Sequence, residues 1–208
     1  MKIIDLTQII KEGMPVYPGT EGPGIIQANT VKKDGFAEKI INMYSHTGTH
    51  IDAPSHMYED GRSLDEFEAE KFVGRAIVID VEGKKEINLD MLKDIEIEGI
   101  EFILFRSGWD RYWGLEEYFG DFPALTIEAA RWLSDKDLKG IGIDAISLDK
   151  ITDEELPVHK IFLGRNHIFI ENLKGLDKLL GREFTLSCLP LNIEKADGSP
   201  VRAVAMID

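Results

Sequence analysis

Cysteine occurs once in the 208 residues, as Cys188. A lone thiol forms no disulfide within its chain, so packing must hold this fold together. Cys188 lies in the apolar run Leu186-Ser187-Cys188-Leu189 and reads as a buried structural thiol rather than a nucleophile. No stretch reaches the roughly 20 apolar residues that a membrane-spanning helix needs. Met1-Lys2-Ile3-Ile4-Asp5-Leu6 carries an acidic residue early and lacks a signal-peptide pattern. Together these absences predict a cytoplasmic protein. Positive charge is scarce: 24 Lys and Arg stand against 38 Asp and Glu, for a net charge of −14. That balance argues against a nucleic-acid partner, whose phosphates need a basic surface, and against docking to an anionic membrane. Internal repeats, low-complexity tracts and linkers are missing too, so residues 1–208 read as one domain. With 43% apolar and 30% charged residues, that domain is of ordinary soluble composition and long enough for a substantial core.

Histidine is also sparse, yet three of the five cluster in residues 45–56, Ser-His-Thr-Gly-Thr-His-Ile-Asp-Ala-Pro-Ser-His. His46, His50, Asp52 and His56 supply four side chains of the kind that ligate a borderline metal such as Zn²⁺. All sit at even positions, which an extended chain would point to one side. Four residues of strand span about 13 Å, however, while ligands of one ion lie about 2 Å from it. The chain must therefore bend between His46 and His50, and Gly48 is the residue able to bend. Thr47, Gly48, Thr49, Ile51 and Pro54 oppose a helix. The stretch reads as a bent strand end or tight loop converging on a metal.

These residues, His-x-Gly-Thr-His-x-Asp-x-Pro-x-His, resemble the signature of the cyclase-like metal-dependent hydrolases, a family that includes bacterial kynurenine formamidases and isatin hydrolases. The resemblance implies a swivelling β/β/α fold. It implies that His46, His50 and Asp52 ligate a first metal. Spacing alone does not single out His159 and Glu171; the resemblance does, because the family's remaining ligands are a His and a Glu at this separation. Asp52 and Glu171, as carboxylates, could each bridge two ions, so one or two divalent ions per chain are expected, zinc or manganese. The family's proton-transfer residue matches His56, and an imidazole suits that work; a fourth-ligand role for His56 stays open. The family's kynurenine formamidases carry Trp where Tyr17 stands in Met14-Pro15-Val16-Tyr17-Pro18. Tyr17 is thus expected to line the substrate pocket, with a departure that bears on the substrate. The implied activity is hydrolysis by metal-activated water of a C–N bond in a small amide, formamide or lactam. Alternatives are a lactone hydrolase on the same site, a metal-holding binding protein without turnover, and a metal that only staples the fold. The family implies a homodimer or homotetramer.

Elsewhere the pattern predicts short strands joined by turns. Residues 2–7, 23–31 and 36–45 read as strands, the last two around Lys33-Asp34-Gly35. Buried strands follow over 75–81, 101–106, 140–145 and 167–171. Strands over 184–191 and 201–206 flank the polar turn Asp197-Gly198-Ser199-Pro200. Helices are expected over 88–95 with Asn88 as cap, over 127–133 capped by Thr126, and for a turn or two from His159. Strands outnumber helices, and an α/β class with a single mixed-sheet domain follows. Arg106, Trp109 and Asp144 lie at strand ends with open roles, and His167 reads as structural.

Overall fold

A computed structural model describes residues 1–207. Its backbone is a nine-stranded mixed sheet, with two small strand pairs outside it: β2 (Gly24–Asn29) with β3 (Glu38–Asn42), and β6 (Glu86–Ile87) with β8 (Ala124–Leu125). In spatial order the sheet runs β1 (Lys2–Asp5), β13 (Val204–Ile207), β11 (Phe184–Ser187), β5 (Val73–Asp80), β7 (Phe102–Arg106), β9 (Gly140–Ile143), β10 (Ile168–Glu171), β4 (His50–Asp52) and β12 (Gly198–Pro200). Strands β5, β7, β9 and β10 are parallel, and the outer strands join them antiparallel. Parallel strands are covered on both faces, which explains why β7, β9 and β10 read as continuous apolar runs.

Alternate residues of these strands feed two cores. Ile103, Phe105, Ile141, Ile143 and Phe169 pack with the buried residues of helices α2 (Ile127–Ser134) and α3 (Pro157–Leu163), among them Leu133 and Phe162. Phe102, Leu104, Ile168 and Ile170 face the other way, onto Ile51, Phe72, Leu186 and Cys188. Each fully buried Leu, Ile or Phe contributes about 1.5–3 kcal/mol. Cys188 is buried and its thiol is pushed up to about 12 by that burial, as a structural thiol should be. Thr126 caps α2, its hydroxyl accepting from Ala129 N at 3.2 Å. No helix among the described residues is long and apolar enough to cross a membrane.

Three local expectations are revised. Only one 3₁₀ turn, Leu89–Met91, forms where a helix over 88–95 is expected, and Asn88 makes no side-chain cap. Asp90 and Asp94 would repel at four-residue spacing on such a helix. The 33–35 turn is a one-turn helix, Val31–Asp34, closed by Gly35. The 197–200 turn contains strand β12, paired with β4 so that Gly198 lies opposite Asp52 and Pro200 opposite His50.

The open strand ends are accounted for structurally. Arg106 ion-pairs with Asp80 and Glu82, and Trp109 donates its indole N–H to the Tyr118 carbonyl at 3.0 Å. Asp144 accepts from Ser107 N and Gly108 N, both at 2.8 Å. The Ser134 and Leu138 carbonyls lie 3.1 and 2.7 Å from the His167 ring nitrogens.

Candidate metal centre

Strand β4 carries His50 and Asp52 into the sheet between β10 and β12, and its register sets Glu171 opposite His50. Just before it the chain turns at Gly48, whose φ of +68° is left-handed. A side chain there would also crowd Met14 at 3.2 Å. This is the expected bend, and it swings His46 back over β4. After β4, Pro54 opens a 3₁₀ turn, Pro54–His56, that lifts His56 to the rim. His159 enters from α3 on the helix-covered face. His46, His50, Asp52, His56, His159, Glu171 and Tyr17 all line one cavity of about 220 Å³, with Pro15, Val16 and Asn172. The seven expected site residues therefore converge, although they span positions 17 to 171.

Among the described residues two donor sets share Asp52, and a third, His46, His56 and Asp197, lies at the rim. His46, His50 and Asp52 form one of the two, and Asp52, His159 and Glu171 form the other, which is buried throughout. His159 Nε2 lies 3.5 Å from Asp52 Oδ2 and 3.4 Å from Glu171 Oε1. His50 Nε2 lies 3.2 Å from Asp52 Oδ1 and 3.6 Å from Glu171 Oε2. Donors about 2.1 Å from a shared tetrahedral ion sit roughly 3.4 Å apart, so both spacings suit a metal. Each carboxylate turns one oxygen to each position. His46 is tighter, with Nδ1 at 2.6 Å from Asp52 Oδ1, a charge-assisted hydrogen bond that metal binding would open.

The imidazoles are held ready. His50 Nδ1 donates to the Gly48 carbonyl at 2.8 Å, leaving Nε2 bare towards the cavity. Asp149 performs the same service for His159 at 2.6 Å, and it also accepts from Val158 N and His159 N. Asp149 thus fixes both the ring and the start of α3. Asn172 holds the bend, donating from Nδ2 to the Gly48 carbonyl at 2.9 Å while its side-chain oxygen accepts from Tyr118.

Charge in this cavity calls for a cation. Burial favours a neutral Asp52, yet the His46 and His50 imidazoles outweigh it and hold the carboxyl well below its usual range. Burial opposes a charged His159, but its hydrogen bond to Asp149 and the nearby Asp52 and Glu171 carboxylates raise it well above the ordinary value. His46, likewise opposed by burial, is pushed up to about 10 by Asp52 and Asp197. Burial raises the Tyr17 hydroxyl, with the Glu171 charge adding to it. Glu171 Oε1 is buried and makes no hydrogen bond among the described residues, its ion-pair contact being His159 Nε2 at 3.4 Å, and an acceptor left that way costs about 1–3 kcal/mol, or more when charged. A divalent ion would satisfy it and release protons from the imidazoles. The residues present therefore fit a divalent metal.

Residues 4–150 match the Cyclase family model, described as “Putative cyclase”. The chain belongs to the cyclase family. This cyclase is 34% identical over 204 residues to a kynurenine formamidase of Bacillus cereus (strain ATCC 14579), covering 97% of this chain and 95% of that one. It superposes on an isatin hydrolase bound to the product analogue thioisatinate with a TM-score of 0.88 and 26% identity, over 99% and 92% of the two chains. A protein solved as a “potential metal-dependent hydrolase with cyclase activity” gives a TM-score of 0.83 at 31% identity, over 98% and 96%. The mixed sheet is that of the cyclase fold, and the cyclase is a metal-dependent hydrolase.

Three site residues escaped the sequence. Asp149 and Asn172 act through hydrogen bonds to His159 and Gly48. Asp197, in the segment read as a polar turn, lies with Oδ2 at 3.0 Å from His46 Nε2. The His46 and His56 imidazoles beside it hold its carboxyl well below the usual range. Its only sequence signal is the Asp-Gly pair, which marks turns generally.

Asp149→Asn offers a direct check on the supporting hydrogen bonds. Loss of an outer-shell carboxylate weakens metal binding by about 10–100-fold, and a chelator-competition titration of the variant against wild type is expected to read that shift. Equal affinity would leave the His159 orientation without a supporting role for Asp149.

Proposed function

We infer that this cyclase is a metal-dependent amidohydrolase that cleaves the C–N bond of a small aryl formamide or lactam. The buried Asp52–His159–Glu171 trio, with one Glu171 oxygen lacking any other partner, carries the reading. His46, His50 and Asp52 hold a first ion, and Asp52, His159 and Glu171 a second. Imidazole and carboxylate donors suit zinc best, and manganese is acceptable to the same set. A divalent ion held there supplies Lewis acidity, acidifying water and polarising a carbonyl.

The chain's own groups do the rest. Hydrolysis joins an oxygen to the carbonyl carbon and must deliver a proton to the departing nitrogen, since an amine leaves poorly as an anion. His56 carries that proton. It stands at the rim, with its ring centroid 4.1 Å from that of His46 and 6.2 Å from that of His159; it groups with His46 and Asp197 and not with the buried Asp52 and Glu171. Tyr17 lines the same cavity and packs against an aryl group. The related proteins that carry the names kynurenine formamidase and isatin hydrolase support an arylamide substrate. Zinc-loaded and manganese-loaded protein are therefore expected to hydrolyse N-formylkynurenine, isatin or both, with chelation abolishing the activity. No turnover of either compound by metal-loaded protein would overturn the substrate class.

A second copy of the chain is the partner this reading includes. The β2–β3 hairpin lies in sequence between Thr20 and His46, both of which line the cavity. Every residue of β3 is exposed, and Ile26, Val31, Phe36, Ile40 and Ile41 stand more than half exposed. A lone two-stranded hairpin is marginal in water, and apolar residues so displayed favour an interface. With Lys32, Lys33 and Lys39 against Asp34 and Glu38, the arm is slightly basic on a strongly acidic chain, which suits the body of a second copy. Light scattering is expected to give a dimer or larger assembly, and the Ile26→Lys, Ile40→Lys double variant a monomer. A monomeric wild type would contradict this.

A further inference from the structure

Asp197 lies outside both donor sets that share Asp52 and groups instead with His46 and His56 at the rim. Its carbonyl accepts from Ala53 N at 2.8 Å, and Gly198 beside it pairs with Asp52 across β12 and β4. A Cβ at Gly198 would sit 2.6 Å from His46 Cε1 and 2.8 Å from Nε2. The glycine lets the His46 ring lie against the backbone, and the neighbouring carboxylate then meets its Nε2 at 3.0 Å. The same oxygen lies 3.7 Å from His56 Nδ1. The His56 ring makes no direct hydrogen bond among the described residues, so Asp197 is the carboxylate available to it.

We propose that Asp197 is a positioning residue for the hydrolytic site, one carboxylate that fixes His46 as a ligand through Nδ1 and holds His56 with Nδ1 protonated and Nε2 facing the substrate. This rests on the metal-dependent hydrolase reading above. The geometry follows from ring chemistry. An imidazole that donates from one nitrogen must offer its lone pair from the other. For His46, a bond from Nε2–H to Asp197 leaves Nδ1 for the metal, next to Asp52. For His56, a bond from Nδ1–H to Asp197 leaves Nε2 free to accept and return a proton. A small closure of the 3.7 Å gap lets one carboxylate serve both rings, through one oxygen or two. Asp197 thereby couples the ligand to the acid–base group without touching substrate.

Three readouts on zinc-loaded protein separate this from a structural role: zinc affinity by competition with a chromophoric chelator, kcat on N-formylkynurenine, and the histidine tautomers by ¹⁵N spectroscopy. Asp197→Ala is expected to weaken zinc and lower kcat by about 10–100-fold each, and to remove the Nδ1–H preference of His56. Asp197→Asn keeps one acceptor oxygen but loses the charge, and should recover part of both losses. Unchanged zinc affinity and kcat in Asp197→Ala would overturn the proposal. So would a metal-free melting temperature lowered by more than about 5 °C, a shift of the size that a lost structural contact produces. Failure of the wild type to bind zinc would instead overturn the hydrolase reading, and this one with it.

Discussion

Replacing His56 by alanine is expected to lower kcat by about 10²–10⁴-fold, the range of a lost general acid–base group, while metal content stays at the wild-type level. The expectation follows from where the ring stands. His56 occupies the end of a 3₁₀ turn at the rim of the cavity, outside the buried trio of Asp52, His159 and Glu171. Removing it takes no donor from either group that shares Asp52. KM should change much less than kcat, because the imidazole acts as the proton moves and contributes little to holding substrate. Plasma mass spectrometry of wild type and variant, with kcat measured on the same preparations, checks both halves. A variant that keeps full turnover would remove His56 from the chemistry, and one that loses metal in proportion to activity would make it a ligand.

The second large effect is that of Asp52→Asn. Asp52 is almost fully buried and belongs to both donor sets, offering Oδ1 beside His50 and Oδ2 beside His159. The amide keeps the volume but loses the charge and one of the two acceptor oxygens. Both ions are then expected to be lost together. Lewis-acid stabilisation is worth several kcal/mol, and each ~1.4 kcal/mol is tenfold in rate, so kcat/KM should fall by about 10³-fold or more. Glu171→Gln makes the contrast, since Glu171 has only a peripheral place in the first set; it should deplete the second ion more than the first. Metal content of the two variants after dialysis distinguishes these outcomes. An Asp52→Asn protein with a full metal complement would contradict the shared-carboxylate arrangement.

Much of this site was legible in residues 45–56 because its constraints are local. Several potential metal donors in a short stretch, a glycine able to adopt positive φ, and a proline that ends the strand dictate a bent chain converging on one point. Gly48 and Pro54 do what their chemistry demands. His159 and Glu171 were reachable only through the family resemblance, since nothing in their own neighbourhoods distinguishes a ligand from a capped or packed side chain. Asp149, Asn172 and Asp197 were not reachable at all. Each acts through a contact made by sheet pairing or helix placement, and Asp197 meets His46 across 151 residues of chain. The same reason explains the 197–200 segment. Its polar residues suit a turn locally, but pairing with β4 draws them into the sheet edge. The helix expected over 88–95 is opposed locally by the like charges of Asp90 and Asp94, one turn apart.

Metal content and activity, measured on one preparation purified without added metal, then after chelation and after zinc is restored, test the central claim most directly. The account predicts one to two equivalents of bound divalent metal per chain, arylamide hydrolysis that disappears with the metal, and recovery when zinc returns. Hydrolysis that survives complete removal of the metal, or a chain that takes up no metal on titration, would contradict it.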